Sequence, residues 1–152
     1  MRPEDKLIIA GEGELRPPME DFIAQAGLAG SIVLTGKMVQ EDLAGLMRVC
    51  DLFALTSSFE GMPMCVLEGL GSGLPAVSTR VTGVDRVLRE GYSGLIVESR
   101  EPRDLARAMA RVLDRRQDYS QANCLAAVER YQARRVLEPI YEAHYELAAG
   151  HD

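Results

Sequence analysis

Positive charge is in short supply: 17 Lys and Arg stand against 23 Asp and Glu, a formal charge of −6 over 152 residues. That balance, with a pI near 5.0, argues against a nucleic-acid or anionic-membrane surface, both of which need an excess of Lys and Arg. No apolar run approaches the ~18 residues of a membrane span, so the chain is not expected to cross one. Met1-Arg2-Pro3-Glu4-Asp5 opens no signal peptide. Cysteine is scarce and odd in number. Cys50, Cys65 and Cys124 have no CxxC spacing and read as buried, reduced thiols of a cytoplasmic protein. Only two histidines occur, His144 and His151, both near the C-terminal end. No ligand cluster points to zinc, and a Ser-His-Asp device would have to borrow one of these two. GxxxxGK[ST] and GxSxG are both absent. Hydrolase, NTPase and metalloenzyme readings are therefore poor, and no metal is expected.

What is present is a globular composition. Hydrophobic residues make up 47% of the chain, which excludes disorder. The length suits one domain over residues 1–152, burying roughly two-thirds of its unfolded surface without disulfides or metal. There is no internal repeat, low-complexity tract or linker.

Short apolar runs alternate with helix-period segments. The runs are Leu7-Ile8-Ile9-Ala10, Ser31-Ile32-Val33-Leu34-Thr35, Leu52-Phe53-Ala54-Leu55-Thr56, Pro75-Ala76-Val77-Ser78-Thr79 and Gly94-Leu95-Ile96-Val97. Each is apolar on both faces, as in a strand covered on both sides. Helical stretches fall near residues 14–27, 41–50, 64–72, 84–90, 102–114, 119–132 and 134–148. Strand then helix, repeated, predicts an α/β fold: a Rossmann-like, doubly wound parallel sheet of about five strands with helices on both faces. Pro102 and Asp104 suit a helix start, and Leu105, Ala108, Met109, Val112 and Leu113 form its buried stripe. Gly73 and Pro75 stop the helix before them. Tyr131, Val136, Leu137, Ile140, Tyr141 and Tyr145 are expected to pack on the sheet or to face a partner.

In an open parallel sheet, ligands bind beyond the carboxyl ends of the strands. Four Gly-containing loops meet that description: Gly11-Glu12-Gly13-Glu14, Gly36-Lys37-Met38, Ser57 to Pro63, and Arg80-Val81-Thr82-Gly83-Val84-Asp85. Any one of them is explained as a tight turn; only the set suggests a ligand. Gly11-x-Gly13 is a poor dinucleotide fingerprint, because Arg16 stands at the third Gly and Glu12 would repel a pyrophosphate.

The most informative segment is Ser57-Ser58-Phe59-Glu60-Gly61-Met62-Pro63-Met64-Cys65-Val66-Leu67-Glu68. It leaves a strand, turns at Gly61 and enters a helix whose expected first position is Pro63. The amides of Met64, Cys65 and Val66 would then be unpaired at the helix start, an anion site. Glu60 precedes it, and Glu68 follows about 8 Å along the helix from it. Spacing alone carries nothing, since Glu4/Glu12, Glu12/Glu20, Glu90/Glu98 and Glu138/Glu146 share it. Two readings fit equally: carboxylates that hold ligand hydroxyls, or a helix-terminus charge and a solvated helix residue.

The same run, continued by Gly73-Leu74-Pro75-Ala76-Val77-Ser78-Thr79, resembles the E-x7-E segment of the family 4 retaining glycosyltransferases, which are GT-B enzymes of two Rossmann-like domains. Leu7 to Gly13, Val33 to Lys37, Leu43 to Ser57 and Gly91 to Val97 resemble further elements of that family, in order, over about residues 6–115. The resemblance implies the C-terminal, donor-binding domain, with its first strand-helix unit and the N-terminal acceptor domain lying outside this chain. It implies that Glu68 binds the ribose hydroxyls of a UDP- or GDP-linked sugar and that Glu60 binds sugar hydroxyls. Gly61, Met62, Met64 and Cys65 would line the sugar and diphosphate, and Lys37 and Met38 would meet the base. It implies no metal and no cofactor beyond the donor, a role in polysaccharide biosynthesis, and an acceptor-domain protein as a partner.

Three departures stand out. The family's Glu in its Gly-Gly-x-x-Glu turn is replaced by Arg86. A family Ala pair is replaced by Gly69 and Gly71, at about 1 kcal/mol each in an exposed helix. The diphosphate-gripping Arg and Lys of the family's first unit are absent. Two such contacts at about 2 kcal/mol each amount to about a thousandfold in donor affinity. Lys37, Arg80 and Arg86 are the candidates to substitute. The expected function is the nucleotide-sugar-binding half of a retaining glycosyltransferase, not competent in catalysis alone. The alternatives are a degenerate Rossmann-like binding module and the donor-binding subunit of a two-chain enzyme.

Overall fold

A computed structural model describes residues 4–132, 135, 137 and 139. The backbone forms two compact units, Met1–Leu46 and Met47–Asp152.

In the first unit, β1 (Leu7–Ala10) pairs in parallel with β2 (Ile32–Gly36), and α1 (Arg16–Gln25) connects them. Pro sits in the first turn of α1, where a missing N–H costs no helical bond. Ile23 is the residue this helix buries. Here α2 (Gln40–Val49) begins, with Glu41 and Asp42 in its first turn and Arg48 in its last, each suited to the helix dipole.

The second unit holds a parallel ladder in the order β3 (Phe53–Leu55), β4 (Ala76–Thr79), β5 (Gly94–Val97). Its helices are α3 (Met64–Gly71), α4 (Val84–Val87), α5 (Pro102–Asp114) and α6 (Gln121–Val128). Every residue of β4 is buried, as its two-faced apolar run requires. Ala76 belongs to one apolar cluster with Val66, Leu70, Val84, Val87 and Cys124. Val77 belongs to another, with Leu95, Val97 and Val112, on which Leu105, Ala108 and Met109 pack. The α5 stripe is thus as its spacing predicts. Helices therefore cover both faces of this ladder.

The fold is α/β with parallel strands, and all five expected strands occur within a residue or so of their predicted ends. They are paired as a two-stranded and a three-stranded ladder rather than as one sheet of five. Hydrogen-bond partnership between ladders is a tertiary property that period-2 patterning does not carry.

Helix α3 ends as the sequence predicts. Gly73 takes a left-handed φ of +84°. Its N–H donates to Leu70 C=O at 2.9 Å, and Leu74 N–H donates to Gly69 C=O at 3.0 Å, the paired bonds of a Schellman motif. Within α3 the two glycines differ. A Cβ at Gly69 would stand 2.9 Å from Phe53 Cγ on β3, whereas one at Gly71 would meet nothing within 4 Å. Close packing therefore explains Gly69 and not Gly71. Gly71→Ala is expected to stabilise the chain by up to about 1 kcal/mol, and Gly69→Ala to destabilise it by about 1–3 kcal/mol. Urea denaturation of both variants checks this; a Gly69→Ala variant as stable as the parent would contradict the packing account.

The thiols are less uniformly buried than the sequence suggests. All three cysteines are free, but only Cys124 is buried; Cys50 and Cys65 are half-buried near helix ends. Burial pushes the Cys124 thiol up to about 11, from an ordinary value of ~8.5. The folded value is the higher, so the neutral thiol's contribution is complete below about pH 8.5 and is lost as pH rises toward 11. Stability is expected to fall across that window, and less steeply in Cys124→Ala. Equal slopes in the two proteins would refute the assignment.

Of the C-terminal aromatic and aliphatic set, Tyr131 packs on the Val66 cluster and its hydroxyl donates to Arg86 C=O at 2.8 Å. Leu137 is exposed rather than packed on the sheet, and Val136, Ile140, Tyr141 and Tyr145 lie outside the described residues. No described helix is long and apolar enough to cross a membrane.

Candidate functional site

The loop between β3 and α3 leaves the carboxyl end of β3, where a parallel sheet presents its ligands. Three side chains fix its shape. Thr79, at the end of β4, donates its hydroxyl to Ser57 C=O at 2.7 Å. Ser57 in turn donates its hydroxyl to Glu60 Oε1 at 2.7 Å. Arg100, beyond β5, donates to Ser58 C=O at 3.0 Å. Glu60 is half-buried, while Glu68 is exposed on α3 and its carboxylate accepts no hydrogen bond from the described residues. The sequence supplied both carboxylates. It missed Ser57, Thr79 and Arg100, whose contacts run between residues up to 42 apart.

Both carboxylates act on Cys65. Burial first, then the Glu60 charge and more weakly that of Glu68, push its thiol above the ordinary value. The amides of Val66 and of Cys65 itself favour the thiolate and oppose that shift. Cys65 is the second residue of α3, between the two glutamates in the chain. Met62 and Met64 are exposed beside it, and so is Gly61.

The start of α3 differs from expectation in two respects. Pro63 precedes the first helical residue, Met64, instead of occupying that position. Its φ of −77° and ψ of 79° keep it outside the helical region while its C=O accepts the first bonds. Two of the three amides expected to be open are engaged, one by Met62 and one by Pro63. Met64 N–H donates to Met62 C=O at 2.9 Å and Val66 N–H to Pro63 C=O at 3.0 Å. Cys65 N–H alone has no carbonyl acceptor among the described residues. The helix start therefore offers one amide without a carbonyl acceptor, set against the Cys65 thiol, and a dipole, less than a full anion cradle.

The next loop, after β4, closes on this one. Gly83 has φ +77°, and a Cβ there would stand 3.3 Å from Gly61 C=O. Ser58, Phe59, Arg80, Val81, Thr82, Gly83, Asp85 and Arg86 line a cavity of about 480 Å³. Phe59 is 82% exposed at its edge. Of the two basic residues in it, Arg80 is engaged: its Nε lies 3.0 and 3.1 Å from the two Glu98 oxygens. That hydrogen-bonded pairing holds the Glu98 carboxyl below its usual value. The Arg86 side chain has no polar partner among the described residues and remains available. A second cavity of about 380 Å³ lies between β5 and α5. Neither cavity is lined by Glu60 or Glu68, and in the second Asp104 and Arg107 pair with each other at 3.1 Å.

Lys37 and Met38 belong to the first unit. They follow Gly36, which turns the chain at φ +74°, and Lys37 is exposed. In the Gly11-Glu12-Gly13 loop, Glu12 pairs with Arg16 at 3.0 Å, and Arg16 with Glu20 at 2.8 Å. The residue that spoils the dinucleotide fingerprint is thus the counter-ion of that loop. No three His, Cys, Asp or Glu side chains among the described residues are grouped to hold a metal ion.

A family model described as glycosyl transferases group 1 matches residues 1–115. An uncharacterized glycosyltransferase of Methanocaldococcus jannaschii is 35% identical over 100 residues, which cover 66% of this chain and 28% of that protein. The crystal structure of Anabaena Alr3699/HepE in complex with UDP-glucose superposes with a TM-score of 0.81 at 24% identity, covering 95% of this chain and 42% of that one. The crystal structure of a GtfA/B complex superposes with a TM-score of 0.76 at 25% identity, covering 95% and 30%. The chain spans well under half the length of each of these proteins.

Proposed function

Because the chain belongs to the glycosyl transferases group 1 family, we propose that it forms the donor-holding part of an enzyme that moves a sugar from a nucleoside-diphosphate sugar to an acceptor. The observation that carries this reading is the β3–α3 junction. There Glu60 is held by Ser57 at the carboxyl end of a parallel strand, with Glu68 free on the following helix.

Each part has a task that follows from its chemistry. An exposed carboxylate with no internal partner accepts hydrogen bonds from a pair of vicinal hydroxyls, and Glu68 is assigned the ribose. Glu60 has one oxygen occupied by Ser57 and lone pairs to spare, and it is assigned the hydroxyls of the transferred sugar. Charge-assisted bonds of this kind contribute about 1.5–3 kcal/mol each. The Cys65 amide and the α3 dipole face the diphosphate, with Gly61 allowing close backbone approach and Met62 and Met64 flanking it. Lys37 and Met38 are assigned the base. Arg86 is assigned a contact with the diphosphate, since Arg80 is committed to Glu98.

The step proposed is glycosyl transfer with retention at the anomeric carbon, without a metal or a further cofactor. This chain orients the donor. The acceptor is proposed to enter from an acceptor domain outside these residues, in the same polypeptide or in a partner protein. The existence of a GtfA/B complex among similar proteins supports the second possibility. The UDP-glucose complex of the HepE protein supports the donor class. A cytoplasmic, polysaccharide-building setting is part of the same proposal.

Calorimetric titration of the folded chain with UDP, GDP and their sugar conjugates tests the reading. Saturable binding of one nucleotide series is the expected result. No heat up to about millimolar ligand, a Kd equivalent to about −4 kcal/mol, would favour a part that binds only together with the rest of the enzyme, or a degenerate domain.

A further inference from the structure

Two consecutive carbonyl groups of the candidate-site loop, those of Ser57 and Ser58, are held by side chains from distant parts of the second unit. Regular pairing of β3 with β4 ends at Leu55 and Ser78. Beyond it, the Thr79 hydroxyl takes over as donor: it reaches Ser57 C=O at 2.7 Å, and Leu55 C=O lies further away at 3.4 Å. Thr79 is only 8% exposed, so this bond is shielded from competing water. The carbonyl it holds belongs to the residue whose own hydroxyl holds Glu60, at 2.7 Å. One residue further on, Arg100 ties down Ser58 C=O at 3.0 Å.

A glutamate that recognises sugar hydroxyls must point in one direction before the ligand arrives, or its rotamer freedom is lost on binding. On a loop that direction is set by the backbone, and here the backbone is set by Thr79. We infer that Thr79 is a positioning residue for Glu60, acting through Ser57, with Arg100 as a second and weaker support. The inference rests on the assignment of Glu60 to the transferred sugar, and it adds residues that touch no part of the donor.

The geometry makes a separable demand. Glu68 lies on α3, outside the Thr79–Ser57–Glu60 chain, so nucleotide affinity should be indifferent to Thr79, while the extra affinity contributed by the sugar should not. Thr79→Val keeps the β-branched shape and removes the donor; Thr79→Ser keeps the donor. Titrations would use UDP against UDP-glucose, and GDP against GDP-mannose. Thr79→Val is expected to lower the sugar-dependent gain about five- to tenfold, with the nucleotide Kd unchanged within about twofold. Thr79→Ser should restore the gain, and Arg100→Gln should lower it less. The inference fails if Thr79→Val retains the full gain, or if it weakens nucleotide and nucleotide sugar equally.

A ligand-free measurement separates this failure from that of the donor-binding reading. The amide resonances of Ser57, Glu60 and Gly61 should move in Thr79→Val and return in Thr79→Ser. If they do not move, Thr79 does not set the loop, whatever the chain binds. If they move and return but no nucleotide binds the parent chain, the donor assignment is overturned and with it the purpose given to Thr79.

Discussion

Replacing Glu68 with alanine is expected to remove saturable binding of UDP or GDP while leaving thermal unfolding of the chain unaltered. The carboxylate is exposed and accepts nothing from the described residues, so its removal breaks no internal hydrogen bond. Alanine is also the better helix former at this interior position of α3. Stability should therefore hold or rise slightly. Binding should not. A ribose presents two hydroxyls, and two charge-assisted bonds at about 1.5–3 kcal/mol each place the loss at about two orders of magnitude or more. A loss of that size should leave the variant with no measurable heat. Glu68→Gln, which keeps the hydrogen-bonding geometry without the charge, should bind with intermediate affinity. Nucleotide binding that survives in Glu68→Ala would move the ribose to another residue and undo the assignment.

A second substitution should act on the fold with comparable force. Gly94 opens β5 directly opposite Ala76. A Cβ built there would stand 1.8 Å from Ala76 C=O and 2.8 Å from Leu88 Cδ1. No side-chain rotation relieves the first clash, since both groups belong to backbone already fixed by strand pairing. Ala76 N–H donates to Ser93 C=O at 3.0 Å on the same rung, so parting the strands there forfeits ladder bonds as well. Gly94→Ala is expected to cost about 3–5 kcal/mol, a large share of a typical domain's stability. Gly91→Ala offers the comparison: φ is +73° with nothing within 4 Å of the added carbon. Its cost should be limited to the left-handed backbone, about 1–2 kcal/mol. Denaturant midpoints of the two variants decide the matter, and near-equal values would mean that β4 and β5 are not paired as described.

The parts of the candidate site that could be read from the chain are those that lie together in it. Glu60, Gly61, Pro63 and Glu68 fall within nine consecutive positions, and the strand end, turn and helix around them are written in local signals. The parts that could not be read join remote segments. Nothing in the neighbourhood of Thr79 distinguishes its hydroxyl from that of Ser78, which donates instead to the C=O of Thr79 at 2.8 Å. In the chain Arg80 is as available for phosphate as Arg86, and only its partner 18 residues away sets the two apart. The position of Pro63 predicts open amides at the start of α3, and a one-residue shift of that start closes two of them.

By itself the sequence determined the alternation of strands and helices, the C-terminal end of α3, both ends of α5, the stripe on α5 and the family. All of these follow from periodicity, proline and glycine, and a contiguous motif, which act over a few residues at a time. The tertiary structure alone decided that the strands pair as two ladders, that Gly69 and not Gly71 makes room for Phe53, and that Thr79 rather than Ser78 bonds the Ser57 carbonyl. Each of these depends on which surfaces meet. A hydrogen bond or a contact between residues more than a few positions apart leaves no period in the chain, because its geometry exists only once the backbone has brought both partners within about 3–4 Å.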